Sequence, residues 1–270
     1  GFLFMPKENK SIWRLLAVIN SDLYHALMLS LTIERNWNAG EVGSVPWIES
    51  LEDHNRLEEI AKEQYQTAVR ERFYEETSPY YIAPKIAPDS IHNTDFFYNH
   101  PHTSVIGDQP QTDSENISPV MSITEAARES ERQGLQTHKQ LEDLYEQTNE
   151  IIYESVGISE ETKRDLLTEI FLRTAEDPED REVSDPKSIA EVPENLNEQT
   201  KNLVHYFAME AVREEEDGII PLEGTDEQAD MLGRIVERFE GTYGEYAADR
   251  LVEVDDILGA ESAADEGDPN

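Results

Sequence analysis

The sequence predicts a mainly α-helical protein with a small α/β (α+β) part at its N-terminus. Three observations predict it. Apolar residues recur at three- and four-residue spacing along most of the chain. Capping residues stand where several of those patterns begin and end. The apolar run Phe2-Leu3-Phe4-Met5 at the front reads instead as a short strand, ended by Pro6 and the polar Lys7-Glu8-Asn9-Lys10.

Ser11 is placed to cap the first helix, which the spacing of Trp13, Leu16, Ala17, Asn20, Leu23, Tyr24, Leu27 and Met28 carries to about residue 31. The short polar residues Asn20-Ser21-Asp22 interrupt it, so a break or a second cap is anticipated there. Residues 32–38 read as extended or irregular, Gly40 and Gly43 as turns, and Val45-Pro46-Trp47-Ile48 as an extended apolar exit. A third element covers 51–77, with Leu57, Ile60, Ala61, Gln64, Tyr65, Ala68 and Phe73 on one stripe.

Prolines 79, 84, 88, 101, 110 and 119 then exclude a long helix and make 78–121 a loop-rich insertion with brief extended pieces. Ser122 caps a helix to about 155, whose face carries Leu135, Leu141, Leu144, Tyr145, Thr148, Ile151 and Ile152. Gly157 ends it, and Ser159-Glu160-Glu161-Thr162 opens a partner reaching 174. An acidic linker, 175–196, leads to a C-terminal helical region, 197–258, with helices expected over 198–215, 226–243 and 246–258. The small, acidic tail 259–270 reads as disordered. No repeat of fixed period is present.

Charge separates the chain into two parts. The 270 residues hold 59 acidic and 22 basic side chains, a formal charge of −37. Residues 1–86 hold 9 basic and 13 acidic residues (net −4), and 87–270 hold 13 and 46 (net −33). Arg outnumbers Lys, 14 to 8, and the acid mixes with Ala, Ser, Thr and Gly instead of forming one block. This composition fits a protein of molar-salt solvent, where the Debye length falls to about 3 Å and self-repulsion is screened. The rival reading is an acidic DNA mimic, whose carboxylates imitate phosphates.

Length allows one or two domains. With no cysteine, disulfides and thiolate sites are excluded, as a reducing cytoplasm would have it. No apolar run approaches the ~20 residues that span a bilayer, so no membrane partner is expected. The opening Gly1-Phe2-Leu3 looks like the middle of a strand, and a piece of a longer protein is the expectation.

Catalytic signatures are scarce. There is no Gly-rich phosphate loop, no Gly-x-Ser-x-Gly and no His-Glu-x-x-His. Acidic pairs such as Glu58/Glu59 and Glu75/Glu76 are expected by chance at this density. His92, Asp95, His100 and His102 have metal-like spacing, but beside Phe96, Phe97 and Tyr98 they read as a polar loop. No catalytic or metal-ligating residue is assigned. DNA-binding candidates are Lys7, Lys10, Arg14, Arg35, Asn36, Trp37 and Asn38, which gather positive charge, amides and a ring where the chain is least acidic. Arg and Asn read guanine and adenine edges, and Lys meets phosphate. Local packing of Trp37 against its neighbours is the plainer alternative.

The order of segments resembles a known family. Leu15-Leu16-Ala17-Val18-Ile19-Asn20-Ser21-Asp22-Leu23-Tyr24 resembles the leucine-rich helix and Asn-Ser-x-Leu of target recognition domains in restriction-modification and phage-defence DNA methyltransferases. Gly40-Glu41-Val42-Gly43-Ser44-Val45-Pro46 is similar to the extended exit that follows. Leu141-Glu142-Asp143-Leu144-Tyr145, running on to Ile151-Ile152-Tyr153-Glu154-Ser155-Val156-Gly157-Ile158-Ser159, resembles a later helix and turn, departing from it at Asn149 and Val156, where Asp and Tyr are usual. Leu203-Val204-His205-Tyr206 through Gly218-Ile219-Ile220-Pro221 resembles a further segment but lacks its glycines.

The resemblance implies the C-terminal specificity portion of an adenine-N6 methyltransferase of the BREX or type II restriction kind. Residues 1–77 would end the target recognition domain with its supporting helix. Double-stranded DNA, the upstream methyltransferase domain and other defence-system proteins would be its partners. S-adenosylmethionine would be bound upstream, since neither an Asn-Pro-Pro-Tyr motif nor a Gly-rich cofactor turn occurs here. Two other classes compete, the acidic interaction protein or DNA mimic and a helical scaffold without a nucleic-acid role.

Overall fold

The computed structural model describes residues 10–31, 39–78, 81–88, 91, 117–174, 193, 195–215, 218–221, 224 and 230–265. Among the described residues the protein is mostly helical and holds no β-strand. The anticipated N-terminal α/β part is therefore not supported; its strand at 2–5 lies outside the described residues. Val45-Pro46-Trp47-Ile48 does leave the helix, with Ile48 extended (φ −96°, ψ 105°). Among the described residues it pairs with no strand: Pro46 has no N–H to give a ladder, and the Tyr24 hydroxyl donates to its carbonyl at 2.7 Å.

The chain forms two compact units, Gly1–Val69 with Thr137–Ser184, and Arg70–Gln136 with Asp185–Asn270. In the first, α1 (Ile12–Ile19) is capped by Ser11, whose Oγ accepts the Arg14 N–H at 3.4 Å. The anticipated break is present. The Ser21 hydroxyl donates to the Val18 carbonyl at 2.7 Å and accepts the Tyr24 N–H at 3.4 Å, so one buried side chain closes α1 and opens α2 (Asp22–Leu31). Of the expected stripe, Leu16 and Asn20 are exposed, because the buried side of α1 centres on Ala17 and Val18.

Gly40 and Gly43, expected in turns, lie instead in α3 (Ala39–Ser44). Helical glycine costs only about 1 kcal/mol relative to alanine, and the bend comes later, where the Val45 N–H reaches the Val42 carbonyl. The helix expected over 51–77 is shorter. A 3₁₀ turn, Glu49–Leu51, precedes α4 (Asn55–Arg72), and Leu51 is fully buried in that turn.

Helix α5 (Ile123–Val156) ends at Gly157, whose φ of 72° lies in the left-handed region. The Ile158 N–H returns to the Tyr153 carbonyl at 2.9 Å and the Gly157 N–H to Glu154 at 3.1 Å, a Schellman ending. Ser159 then caps α6 (Glu160–Thr174), accepting the Thr162 N–H at 3.2 Å. Gly157→Ala is expected to lower stability by about 1 kcal/mol through backbone strain alone, since no neighbouring atom lies within 4 Å of an added Cβ. Thermal unfolding checks this, and an unchanged midpoint would refute it.

The core of this unit joins Ala17 and Val18 of α1, Leu23 and Tyr24 of α2, Leu51, Leu57 and Ala61, and Ile152 and Tyr153 of α5. Helix α6 packs along α2, where Arg173 Nη1 donates to the Leu29 carbonyl at 2.8 Å.

The second unit begins α5 with a reciprocal cap. Ser122 Oγ accepts the Glu125 N–H at 3.1 Å, and Glu125 Oε2 accepts the Ser122 N–H at 2.9 Å. That backbone donor, followed by the Ser122 hydroxyl, holds the Glu125 carboxyl below its usual range. Helices α7 (Leu196–Glu214), α8 (Met231–Tyr243) and α9 (Ala247–Asp265) pack together, with a 3₁₀ turn, Gly244–Tyr246, before α9.

Asp230 caps α8 by accepting the Gly233 N–H at 2.7 Å, later than the start expected at 226; residues 225–229 lie outside the described residues. The tail expected to be disordered from 259 is helical to Asp265. Ala260, Ala263 and Ala264 are strong helix formers that outweigh Gly259. The insertion also does more than loop over a surface, because Ala83, Ile86, Ala87 and Ile117 are buried with Leu203, Phe207 and Phe239. Among the described residues, no helix is long and apolar enough to cross a membrane.

Candidate nucleic-acid interface

Two of the seven sequence candidates lie within the described residues, both around the start of α1. Arg14 sits on its first turn and reaches towards the residues that open α4. Its Nη1 donates to the Glu52 backbone carbonyl, and Nη2 lies 3.0 Å from Asn55 Oδ1 and 3.2 Å from Glu58 Oε2. Asp53 stands 3.9 Å away. Lys10 is paired with the Glu52 carboxylate. Lys10, and then the Trp47 indole, lower the Glu52 carboxyl below its usual range, and Lys62, then Ser11, do the same for Glu58.

This geometry fastens α1 to the entry of α4. The side chain of Arg14 is only 18% exposed, so a phosphate would have to displace three acceptors to claim it. Lys10 is more open but would have to leave Glu52. Lys7, Arg35, Asn36, Trp37 and Asn38 lie outside the described residues; four of them belong to the stretch joining α2 to α3. The spacing His92, Asp95, His100 and His102 also lies outside. Among the described residues, no group of three or more His, Asp or Glu side chains could hold a metal ion.

Sequence reading passed over the most unusual polar cluster. Asp22 opens α2 and is 7% exposed. Its carboxylate accepts the Tyr145 hydroxyl at 2.5 Å and the Tyr153 hydroxyl at 3.3 Å, and its backbone N–H donates to Asn149 Oδ1 at 2.9 Å. The N-terminus of α2 offers further electrostatic support to the charge. Burial first, and then the Asp22 charge, push the Tyr153 phenol well above its ordinary pKa. A phenol so held stays protonated and acts as a donor. The arrangement binds segments more than 120 residues apart, and its chemistry is that of a joint rather than of an acid–base pair. The only signal for it in the sequence was Asn149, noted above as a departure. At that position a neutral amide accepts the Asp22 N–H without setting a second buried carboxylate beside the first.

A further aromatic contact lies where the Pro46 exit passes α2. Trp47 meets Tyr24 edge to face at 6.4 Å and is 37% exposed. No protein family, curated protein or solved structure matches this chain.

Proposed function

We propose that this chain is the DNA-recognition portion of an S-adenosylmethionine-dependent DNA methyltransferase acting on adenine N6, part of a restriction-modification or phage-defence system. One observation carries the reading. The Asn20-Ser21-Asp22-Leu23, Val45-Pro46 and Leu141–to–Gly157 segments were each singled out by a short resemblance, and all three converge in the first unit. Asp22 and Tyr24 are the hubs, bonded to Tyr145, Asn149, Tyr153 and Pro46. Unrelated short likenesses have no reason to meet in one buried cluster.

On this reading the catalytic domain lies upstream, takes the target adenine out of the stack and supplies the methyl donor's binding site. The residues of this chain present no cofactor turn and no Asn-Pro-Pro-Tyr motif, so their part is to hold and read the duplex. The recognition lobe would be completed by upstream sequence, and α4 would support it. Arg35, Asn36 and Asn38 are the base-edge readers of choice, Trp37 a stacking surface, and Lys7 a phosphate contact. Lys10 and Arg14 brace the segment through Glu52, Asn55 and Glu58. In molar salt the phosphate contribution is weak, so base contacts must carry more of the affinity.

The distribution of acid supports the solvent reading over a DNA mimic. Exposed carboxylates such as Asp143 and Glu150 on α5, Glu161 on α6 and Asp249 and Asp256 on α9 occupy outward faces in both units.

The test uses the parent protein with its upstream sequence in molar KCl. Duplex binding and adenine-N6 methylation are measured for Arg35→Ala and Lys10→Ala. Arg35→Ala is expected to weaken binding at least about tenfold, the loss of one bidentate base contact, and Lys10→Ala less. If both variants bind and methylate like the parent, the site assignment is wrong; if the parent methylates no DNA at all, the reading itself fails.

A further inference from the structure

Trp47 differs from the other aromatic side chains of the first unit in being exposed and yet fixed. It lies between α3 and the 3₁₀ turn, where Val45 and Ile48 on either side pack against the core and Trp47 stays 37% exposed. Trp13, by contrast, is half-buried and meets Tyr65 edge to face at 5.2 Å.

The ring is held from several directions. The hydroxyl of buried Tyr24 donates to the Pro46 carbonyl at 2.7 Å and faces the Ile48 N–H, so one phenol holds the backbone before and after Trp47. The Tyr24 ring itself meets the indole at 6.4 Å, inclined by 63°. The indole also faces the Glu52 carboxylate, with which Lys10 is paired. An aromatic side chain fixed in this way loses little conformational freedom when a ligand settles on it.

The surroundings select the kind of ligand. Gly43, Ser44, Glu49 and Ser50, exposed along the same stretch, are small or polar, whereas a protein partner calls for a continuous apolar patch. A single fixed ring suits one flat group. Glu49, Glu52 and Asp53 place negative charge close by, so this surface does not select phosphate. In molar salt phosphate contacts are weak in any case, while stacking on a ring releases no counterions and keeps its strength.

We infer that Trp47 is a stacking platform for a DNA base drawn out of the duplex stack, a contact whose affinity resists salt. The inference rests on the DNA-recognition reading and adds to it a residue outside the sequence candidates, where Trp47 reads only as part of an apolar exit. Turning out a target adenine unstacks its neighbours, and unstacked bases are what an exposed aromatic ring captures.

The experiment uses the parent protein with its upstream sequence. It measures methylation of duplex DNA and affinity for single-stranded DNA of mixed sequence, whose bases are free to stack, in KCl from about 1 to 3 M. Trp47→Leu is expected to weaken single-strand binding at least about tenfold, and by the same factor at each salt concentration. Trp47→Phe, which keeps a π-face, should lose about threefold or less. Circular dichroism confirms that each variant is folded. If the parent methylates duplex DNA and folded Trp47→Leu binds single strands as tightly as the parent, the stacking site is wrong and the DNA-recognition reading stands. A loss by Trp47→Phe equal to that of Trp47→Leu, or a loss that shrinks as salt rises, also overturns the inference, because neither is the mark of stacking. A parent that neither binds nor methylates DNA overturns the reading, and this inference with it.

Discussion

Phe239→Ala is expected to destabilise the second unit by about 4 kcal/mol, within the range for deleting a buried aromatic ring. The ring is fully buried, 4.6 Å from Phe207 and 5.4 Å from Tyr243, with which it stacks at 23°. Phe207 in turn meets Tyr206 and Tyr243 edge to face. Phe239 thus links the inward side of α8 to that of α7, where Leu203 and Ala211 are also buried. Removing it costs the transfer energy of the ring, the ring–ring contacts at about 1 kcal/mol each, and a cavity that two remaining aromatics cannot fill without leaving their own packing. Phe239→Leu should recover roughly half of the loss, because it refills most of the volume. The measurement is denaturant unfolding followed by far-ultraviolet circular dichroism in molar KCl. A loss below about 1.5 kcal/mol would mean that the ring is not a core residue.

The helical framework was legible because its signals are local. Ser11, Ser122 with Glu125, Gly157 and Ser159 each act on backbone groups within one turn, so their spacing alone announces helix ends. The expected α4 stripe holds in its first half, where Leu57, Ile60 and Ala61 are buried, but not in its second, where Ala68 is exposed and Thr67 and Val69 are buried instead. Reading failed where competing local preferences were close. Gly40 and Gly43 read as breakers but are helical, and Gly259 reads as a boundary although α9 continues to Asp265.

Longer-range pairing was not legible at all. Lys10 and Arg14 read as free positive charge, yet their partners Glu52 and Asn55 lie about forty residues on. One sequence records that both signs are present and not that they meet. The same applies to Asp22, which reads in the sequence only as part of a short polar helix break or second cap. The net charge of −37 makes such errors easy: among so many carboxylates, the few that are buried or paired carry the structural information.

Asp22→Ala tests the strongest of those hidden contacts and is expected to destabilise the first unit by about 3 kcal/mol. The change removes the acceptor for two phenols while leaving the phenols in place. Tyr153 is 5% exposed and cannot turn to water, so its hydroxyl is left unsatisfied, whereas the half-buried Tyr145 recovers some hydration. The Asp22 N–H remains bonded to Asn149 in either case, which confines the effect to the carboxylate. Asp22→Asn should cost less, about 1 kcal/mol, because the amide oxygen still accepts one hydroxyl while the favourable charge at the α2 N-terminus is lost.

Tyrosinate absorbance gives a second readout that simple loss of packing would not reproduce. Burial is the larger cause of the raised Tyr153 pKa and the Asp22 charge the next. Both Asp22 variants should therefore bring Tyr153 ionisation part of the way down towards the ordinary phenol range without reaching it. A variant that unfolds at the parent's denaturant midpoint, with an unmoved tyrosine titration, would show that Asp22 does not join these segments. The convergence on which the DNA-recognition reading rests would fall with it.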